Sequence, residues 1–463
     1  MKSVEPRRVM SPRRVESIVR FVFGNRGSRK GAITPPVEES QAMDQDKING
    51  ADRRAFLQAG AIAAAAATGL TRSGEARAQA QAQTEPEAAK KVPEVPRRKL
   101  GKTGVEITML DQGAVRGASL DRVLRFSFAN GVRTFDTAKV YGSEPNFKQW
   151  FEKSPEVRKQ IFLVTKDSPR TPAQMLKMVD ERLATLGTDY IDLFFIHGFG
   201  DHHSVDDAIK FITGDEFKEV ADKIRKSGKA KFLGFSSHHK NRAPIIQAAA
   251  EAGIVDAIML QYTPWLEKDS ALNKALDVCW KKNVGLISMK QIAGRGFGDQ
   301  PKVNILDEVV RRVPTLAEKK LSPFQGLLHA IWTDERISSV CVSMRNTDQI
   351  RENTDAARRY EPLKTVDIHQ LRDAFIAQGQ MMCADCDGRC AVAAGTKAEL
   401  GDLTRFLTYH QHHGLRADAR RQYAALSPEA RDWSDADLAA AREACPNKLD
   451  FAKLLPEVDR RLA

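Results

Sequence analysis

Eight short runs rich in Val, Ile, Leu and Phe alternate with segments of helical period over about 260 residues, and this alternation is what most restricts the fold. The runs occupy 108–114, 134–138, 161–166, 190–197, 230–236, 257–262, 285–290 and 338–343. Between them, Leu120, Val123, Leu124 and Phe128 stand at i, i+3, i+4 and i+8, and Met175, Val179, Leu183 and Leu186 repeat the pattern. Those spacings put the apolar side chains on one helix face. Runs that are apolar almost throughout suit strands covered on both sides, so the expected fold is α/β, a (β/α)8 TIM barrel. A doubly wound sheet is the structural alternative, but no Gly-x-Gly-x-x-Gly follows the first run.

The flanks of the barrel read differently. The formal net charge of +12 is concentrated at the N-terminus: residues 1–52 hold ten Lys/Arg against seven Asp/Glu, and residues 53–78 four Arg against one Glu. The rest of the chain is close to balanced for its length, which argues against nucleic acid as a partner. Arg53-Arg54 precedes an Ala-rich apolar run, 59–70, and then Ala76-Arg77-Ala78. An arginine pair, a weakly hydrophobic run and a small-residue cleavage pattern read as a twin-arginine export signal over 53–78. The translocase is then a partner during export, and the periplasm is the destination. The run is about a dozen residues, short of the roughly 20 strongly apolar residues that span a bilayer. Residues 1–52 read as a disordered leader, and Met43 is the expected true start. Residues 79–96 are mostly Ala, Gln, Glu and Pro, a linker. After about Thr365 the alternation stops, and 366–463 read as a helical extension that carries a cysteine cluster.

In a barrel of this kind, chemistry belongs at the C-terminal ends of the strands. The second run ends in FDTAKVYG, giving Asp136 and Tyr141; the third ends in VTK, giving Lys166; the fourth ends in IHG, giving His197. Together they suit carbonyl reduction by hydride transfer. A tyrosine can protonate the developing alkoxide, but its free pKa of about 10 is high for the task. A lysine ammonium beside it favours the phenolate, and a carboxylate keeps that lysine charged and placed. A histidine orients the carbonyl.

With these motifs the sequence resembles the aldo-keto reductase family, from about Arg97 to Thr365. The resemblance opens with RRKLGKTGVEITMLDQG and runs through FDTAKVYG, LVTK, ERLATLGTDYIDLFFIHG and KFLGFSS to SMRNTDQIRENTDAA. It implies Asp136, Tyr141, Lys166 and His197 as a catalytic tetrad with Tyr141 as general acid, a small carbonyl or alcohol as substrate, and a nicotinamide cofactor, NADP(H), across the barrel mouth. Ser236, Ser237 and Gln261 then fall where members hold the carboxamide, although Ser237 stands where many have Asn. Lys290 is placed to meet cofactor phosphate. Ser343 and Arg345 would grip the 2′-phosphate, with Gln349 beside them and Glu352 and Asn353 facing adenine. Many members stack a tyrosine on the nicotinamide after the seventh strand; here that region reads GLISMKQIAGRG, with Met289.

The stretch CADCDGRC places Cys383, Cys386 and Cys390 at C-x2-C-x3-C, and Cys445 precedes Pro446. Three close thiolates and a remote Cys-Pro form the ligand pattern of a 4Fe–4S cluster. Zinc bound by four cysteines and disulfides remain alternatives. Some aldo-keto reductases carry a ferredoxin-like extension with such a cluster, and this resemblance favours the cluster. Twin-arginine transport moves folded, cofactor-loaded proteins, which agrees with it. Cys279 and Cys341 read as small core residues, and the histidines of YHQHHG, 409–414, as a solvated helix end. The expectation is an exported NADP(H)-dependent oxidoreductase with an iron–sulfur module and a possible redox partner. The alternative is an NADP-binding sensor or electron-transfer protein whose tail holds zinc.

Overall fold

The computed structural model describes residues 94–463 apart from 115–116, 202, 292–302, 378–380, 384–387 and 412–414. The leader, the export signal and most of the linker lie outside the described residues, as does Cys386.

The chain enters through an antiparallel hairpin, β1 (Arg97–Lys99) and β2 (Glu106–Thr108), with Arg98 opposite Ile107. Gly101 in its turn has φ +50, and a Cβ there would lie 2.4 Å from the Gly285 nitrogen, so a side chain is excluded. Leu100 and Ile107 from the hairpin join Phe162, Leu193, Met259 and Ile287 in one buried cluster. The hairpin thereby plugs one end of the barrel, and the other end is left for chemistry.

Eight parallel strands close the barrel: β3 (Leu110–Gly113), β4 (Thr134–Asp136), β5 (Phe162–Asp167), β6 (Ile191–Ile196), β7 (Ala230–Ser237), β8 (Ala257–Gln261), β9 (Gly285–Met289) and β10 (Ile337–Val342). They pair in sequence order, and β10 returns to β3. Each apolar run of the sequence supplies one strand. The first run is divided: Thr108 ends β2, and its hydroxyl donates to the Leu110 carbonyl at 2.8 Å, turning the chain from hairpin into barrel. Gly234 in β7 lets the neighbouring strand close in, since a Cβ there would meet the Ala257 carbonyl oxygen at 1.8 Å.

The helices lie outside. In the helix Leu120–Ala129 the buried face is Leu120, Val123, Leu124 and Ser127, with Phe128 packed at its margin. In Gln174–Leu186 it is Met175, Val179, Arg182 and Leu186. Arg182 displaces the expected Leu183 inward because two buried carboxylates, Glu144 and Asp167, receive it.

After the last barrel strand and its helix, a further helix begins at Thr365. The extension folds against the barrel, and one hydrophobic core takes in residues from Val95 to Leu462. Its central helix, Leu400–Gln411, is buried on nearly every side, and the terminal helix Phe451–Leu462 packs on it through Phe451, Leu455, Val458 and Leu462. That i, i+4, i+7, i+11 spacing is a single apolar stripe. The reading of 409–414 as a solvated helix end is corrected at its described residues. Tyr409 is fully buried and His410 nearly so, because the terminal helix covers the end of Leu400–Gln411. Among the described residues no helix is long and apolar enough to cross a membrane.

Candidate active site

Four ionisable side chains meet at the open end of the barrel because the strand ends, and one short turn beyond β4, place their backbones there. Asp136 is the last residue of β4, Lys166 lies near the end of β5, and His197 follows β6 directly. Tyr141 sits on a single 3₁₀ turn, Lys139–Tyr141, which Gly142 ends in the left-handed region. The Lys166 ammonium pairs with both oxygens of Asp136 and donates to the Thr137 carbonyl at 3.0 Å. It lies 5.3 Å from the centroid of the Tyr141 ring. The Tyr141 hydroxyl is 3.4 Å from Nε2 of His197, and the two rings meet edge to face at 86°.

Burial is the largest influence on each of these groups. It pushes the Tyr141 phenol up to about 12; the Lys166 ammonium pulls it back and Asp136 adds to the rise. The expected net acidification of the phenol by Lys166 is therefore corrected: the ammonium acts in that direction, but enclosure outweighs it. Burial alone would lower Lys166, yet the Asp136 charge and hydrogen bond outweigh that and raise it. Burial and the charges of Lys166 and Lys290 hold His197 well below the usual histidine range. The mouth thus presents a neutral phenol beside a neutral imidazole, with an ammonium poised to stabilise the phenolate once the proton has left. That is the protonation pattern of a proton donor to a developing alkoxide.

A layer beneath this site was not anticipated. Asp111 of β3 is fully buried beside Asp136 and the Cys341 thiol, and burial, then the Asp136 charge, raises its carboxyl well above the usual range. Cys341 packs against the inner cluster of the barrel, as a small core residue does, and its thiol also neighbours Asp111 and the Asp136–Lys166 pair. Ligating atoms of Asp111, Asp136 and Cys341 lie within 4.8 Å of one another, but the Lys166 ammonium already meets Asp136 as a cation would. The available signal was a lone acid inside an apolar run, MLDQG. On the other flank Arg182 joins Asp167 to Glu144, with Arg182 Nε 3.0 Å from Glu144, and Thr165 donates to Glu144 at 2.7 Å. This network anchors the strand that carries Lys166. A cleft of about 250 Å³ opens beside His197 between Ser168, Arg170, Phe199 and His203. A second hollow, between Lys240, Trp265, Glu267, Arg389 and Asn447, contains none of the four catalytic candidates.

The cofactor candidates ring the same mouth, but several are already engaged. Ser236 Oγ accepts from the Gly198 N–H at 3.2 Å, and Ser237 Oγ donates to the Phe199 carbonyl at 2.8 Å. Gln261, at the end of β8, donates to the Cys383 carbonyl at 3.0 Å, so the extension reaches the residue assigned to the carboxamide. Lys290 follows β9 and lies 4.3 Å from the Tyr409 ring centroid. Beyond β10, Ser343 is exposed and Arg345 half-buried, and the Arg345 N–H donates to Gln349 Oε1 at 2.8 Å. Asn346 caps the following helix, Thr347–Arg358. In that helix Glu352 accepts a hydrogen bond from Ser322, which caps the helix Pro323–Trp332, and Asn353 is buried, so both serve helix packing here.

In the extension, Cys383, Cys390 and Cys445 are buried, and none is in a disulfide. Asn447 donates to the Met382 carbonyl at 2.7 Å, which draws the Cys445 segment to the Cys383 segment. Burial raises the Cys390 thiol, and Cys445 is near enough to raise it further. Cys390 and Cys445, 55 residues apart in sequence, thus lie near each other, and the Cys383 segment is tied to theirs through Met382 and Asn447.

The model of the aldo/keto reductase family matches residues 108–375. L-galactose dehydrogenase of Arabidopsis thaliana is 25% identical over 291 residues, which are 58% of this chain and 89% of that protein. The NADP(+) aldo-keto reductase yakc of Schizosaccharomyces pombe is 28% identical over 226 residues, 44% of this chain and 62% of that one. The aldo-keto reductase AKR11C1 from Bacillus halodurans, in its holo form, superposes with a TM-score of 0.48 at 20% identity, over 61% of this chain and 96% of that one. The family match covers more than half of the sequence and takes in every strand of the closed barrel, so the chain belongs to the aldo/keto reductase family and is an oxidoreductase of its carbonyl–alcohol class.

Proposed function

We propose that this chain is an NADP(H)-dependent reductase or dehydrogenase interconverting a small carbonyl and an alcohol. It is exported folded through the twin-arginine route to the periplasm and carries a 4Fe–4S cluster in its C-terminal extension. The observation that carries the enzymatic part is the Tyr141 hydroxyl 3.4 Å from His197 Nε2, with the Lys166 ammonium 5.3 Å from the phenol ring centroid and fixed by Asp136. A dihydronicotinamide, when bound, would supply the hydride. Tyr141 gives its proton to the carbonyl oxygen as negative charge develops there. Lys166 stabilises the phenolate left behind, and neutral His197 orients the oxygen. Arg345 and Ser343 form the candidate grip for a 2′-phosphate, and the similarity to the NADP(+) aldo-keto reductase yakc of Schizosaccharomyces pombe supports that choice.

Cys383, Cys390 and Cys445, with Cys386, would hold the cluster, which would supply one-electron chemistry. The nearness of the buried Cys390 and Cys445 to each other supports it. The sequence of 53–78 supports export, and a redox partner would follow from the cluster.

The test uses anaerobically purified full-length protein. Tyr141→Phe lowers NADPH-dependent turnover of generic aldehydes by about 10²–10⁴-fold while NADPH still quenches intrinsic fluorescence. Equal turnover by variant and wild type overturns the assignment. Iron and acid-labile sulfide at about four each per chain support the cluster, whereas stoichiometric zinc replaces it.

A further inference from the structure

We propose that Tyr409, in the C-terminal extension, is a positioning residue for the barrel's reaction: its ring fixes the Lys290 ammonium at the mouth, and its hydroxyl fixes His238. The inference rests on the reading of this mouth as a nicotinamide–dinucleotide site.

Tyr409 lies in the helix Leu400–Gln411, and its side chain is fully buried. Its hydroxyl and its ring both reach the barrel. The hydroxyl is 2.9 Å from Nδ1 of His238, just beyond β7, and the two rings cross at 78°. Lys290 Nζ stands 4.3 Å from the Tyr409 ring centroid. Lys290 is also one of four non-glycine residues with positive φ among the described residues, at +52. A left-handed backbone on a lysine at a strand end is an uncommon conformation that its surroundings must impose. Lysine has a long flexible stem, and an aromatic face is one of the few neutral partners that can localise its charge.

The helix is itself clamped to this rim. Lys240 pairs with Glu399 and lies 3.5 Å from Asp402, which in turn pairs with Arg405. Asp201, after β6, stands 3.8 Å from Nε2 of His238. The Lys290 charge acts on His197, His238 and Asp201 alike, so the ammonium faces the mouth. A cation held there would attract the anionic part of a dinucleotide. If it were released to solvent, it would do so less well.

Four proteins are compared by NADPH fluorescence titration, steady-state kinetics and thermal melting: wild type, Tyr409→Leu, Lys290→Met and the double variant. Tyr409→Leu is expected to raise the NADPH Kd and KM about tenfold, with kcat falling far less. The double variant should bind no more weakly than Lys290→Met alone, because the ring acts through that ammonium. Tyr409→Phe should recover most of the lost affinity. Trifluorophenylalanine at 409, which keeps the shape but weakens the negative ring face, should not, and this pair tests the idea even if the leucine variant does not fold. Wild-type NADPH affinity in Tyr409→Leu, additive losses in the double variant, or equal affinity for the phenylalanine and fluorinated proteins overturns the inference while leaving the enzymatic reading intact. Absence of NADPH binding by the wild type overturns both.

Discussion

The barrel mouth and the C-terminal extension both bury charge, but they stabilise it differently. At the mouth, Asp136 and Lys166 are each almost fully enclosed, and both sit on strands whose backbones the sheet has fixed. The pair loses little further freedom on forming, and Thr137 satisfies another lysine proton. The extension is built of short helices joined by irregular segments, and much of its polar satisfaction comes from the barrel. Cys383 takes a hydrogen bond from Gln261, Glu399 takes Lys240, and Arg389 pairs with Glu267. One region can hold a reactive charged pair because its frame is rigid without it. The other acquires a defined geometry only where the first supplies partners, together with its own apolar stripe and whatever its thiols bind.

Lys166→Met tests the first half of that contrast and carries the largest expected effect. Removing one member of a buried pair leaves an uncompensated carboxylate, a loss of about 3–5 kcal/mol. Burial has already raised Asp136, so part of the loss is relieved by its protonation. Denaturant unfolding at neutral pH should show the loss, together with abolished turnover. A variant as stable as wild type would mean that Asp136 is not left as an uncompensated charge in the enclosed mouth. Leu455→Ala tests the second half. Leu455 is fully buried in the terminal stripe, and its truncation should cost about 2–5 kcal/mol. If barrel and extension unfold together, a single calorimetric transition moves down. If the extension is an independent unit, a small early transition separates while the main one stays.

The same division governs what the sequence disclosed. All eight strands were legible because apolar runs buried on both faces leave a continuous signature, and Asp136, Lys166 and His197 were legible because a charged residue at the end of such a run breaks the pattern. Tyr141 followed from its short distance past β4. Arg182 did not stand out, since nothing local announces that Glu144 and Asp167, 38 and 15 residues earlier, will receive it. Asp111 was hidden for the same reason: its neighbours Asp136 and Cys341 belong to other strands. In the extension the cysteine spacing stood out. The approach of Tyr409 to Lys290 and of Cys383 to Gln261 joins residues more than 100 apart, and no periodicity encodes that. The net effect of burial on Tyr141 was likewise invisible, because spacing names the neighbours of a phenol but not how completely they enclose it.

Asp111 offers a subtler measurement on the barrel side. Its carboxyl is raised above the ordinary 3.8, so the folded protein keeps a proton that the unfolded chain gives up. The stabilising contribution is complete below the unfolded value and is lost as pH rises toward the folded one. Asp111→Asn stays neutral and lacks that slope. Between pH 4 and pH 7 its stability relative to wild type should rise with pH, by at most about 1.4 kcal/mol per unit. His197 and His238, both lowered, destabilise the fold as pH falls through 6.5, but they are present in both proteins and cancel in the difference. A flat difference would mean that Asp111 is ionised in the fold.

The smallest effect belongs to the clasp between the two regions. Arg389 and Glu267 are bidentate, at 3.0 and 2.6 Å, but their side chains remain 44% and 48% exposed. Water screens such a pair, so Glu267→Gln should cost no more than about 1 kcal/mol, and less in high salt. Each pair joins one cation to one carboxylate, but the mouth pair is enclosed and the clasp is about half exposed. Measuring both losses by denaturant titration at two salt concentrations therefore compares an enclosed pair with a screened one. The mouth pair should be nearly insensitive to salt and the clasp should fade. A clasp loss above about 2 kcal/mol that persists in salt would instead make Arg389, next to Cys390, part of the extension's own framework.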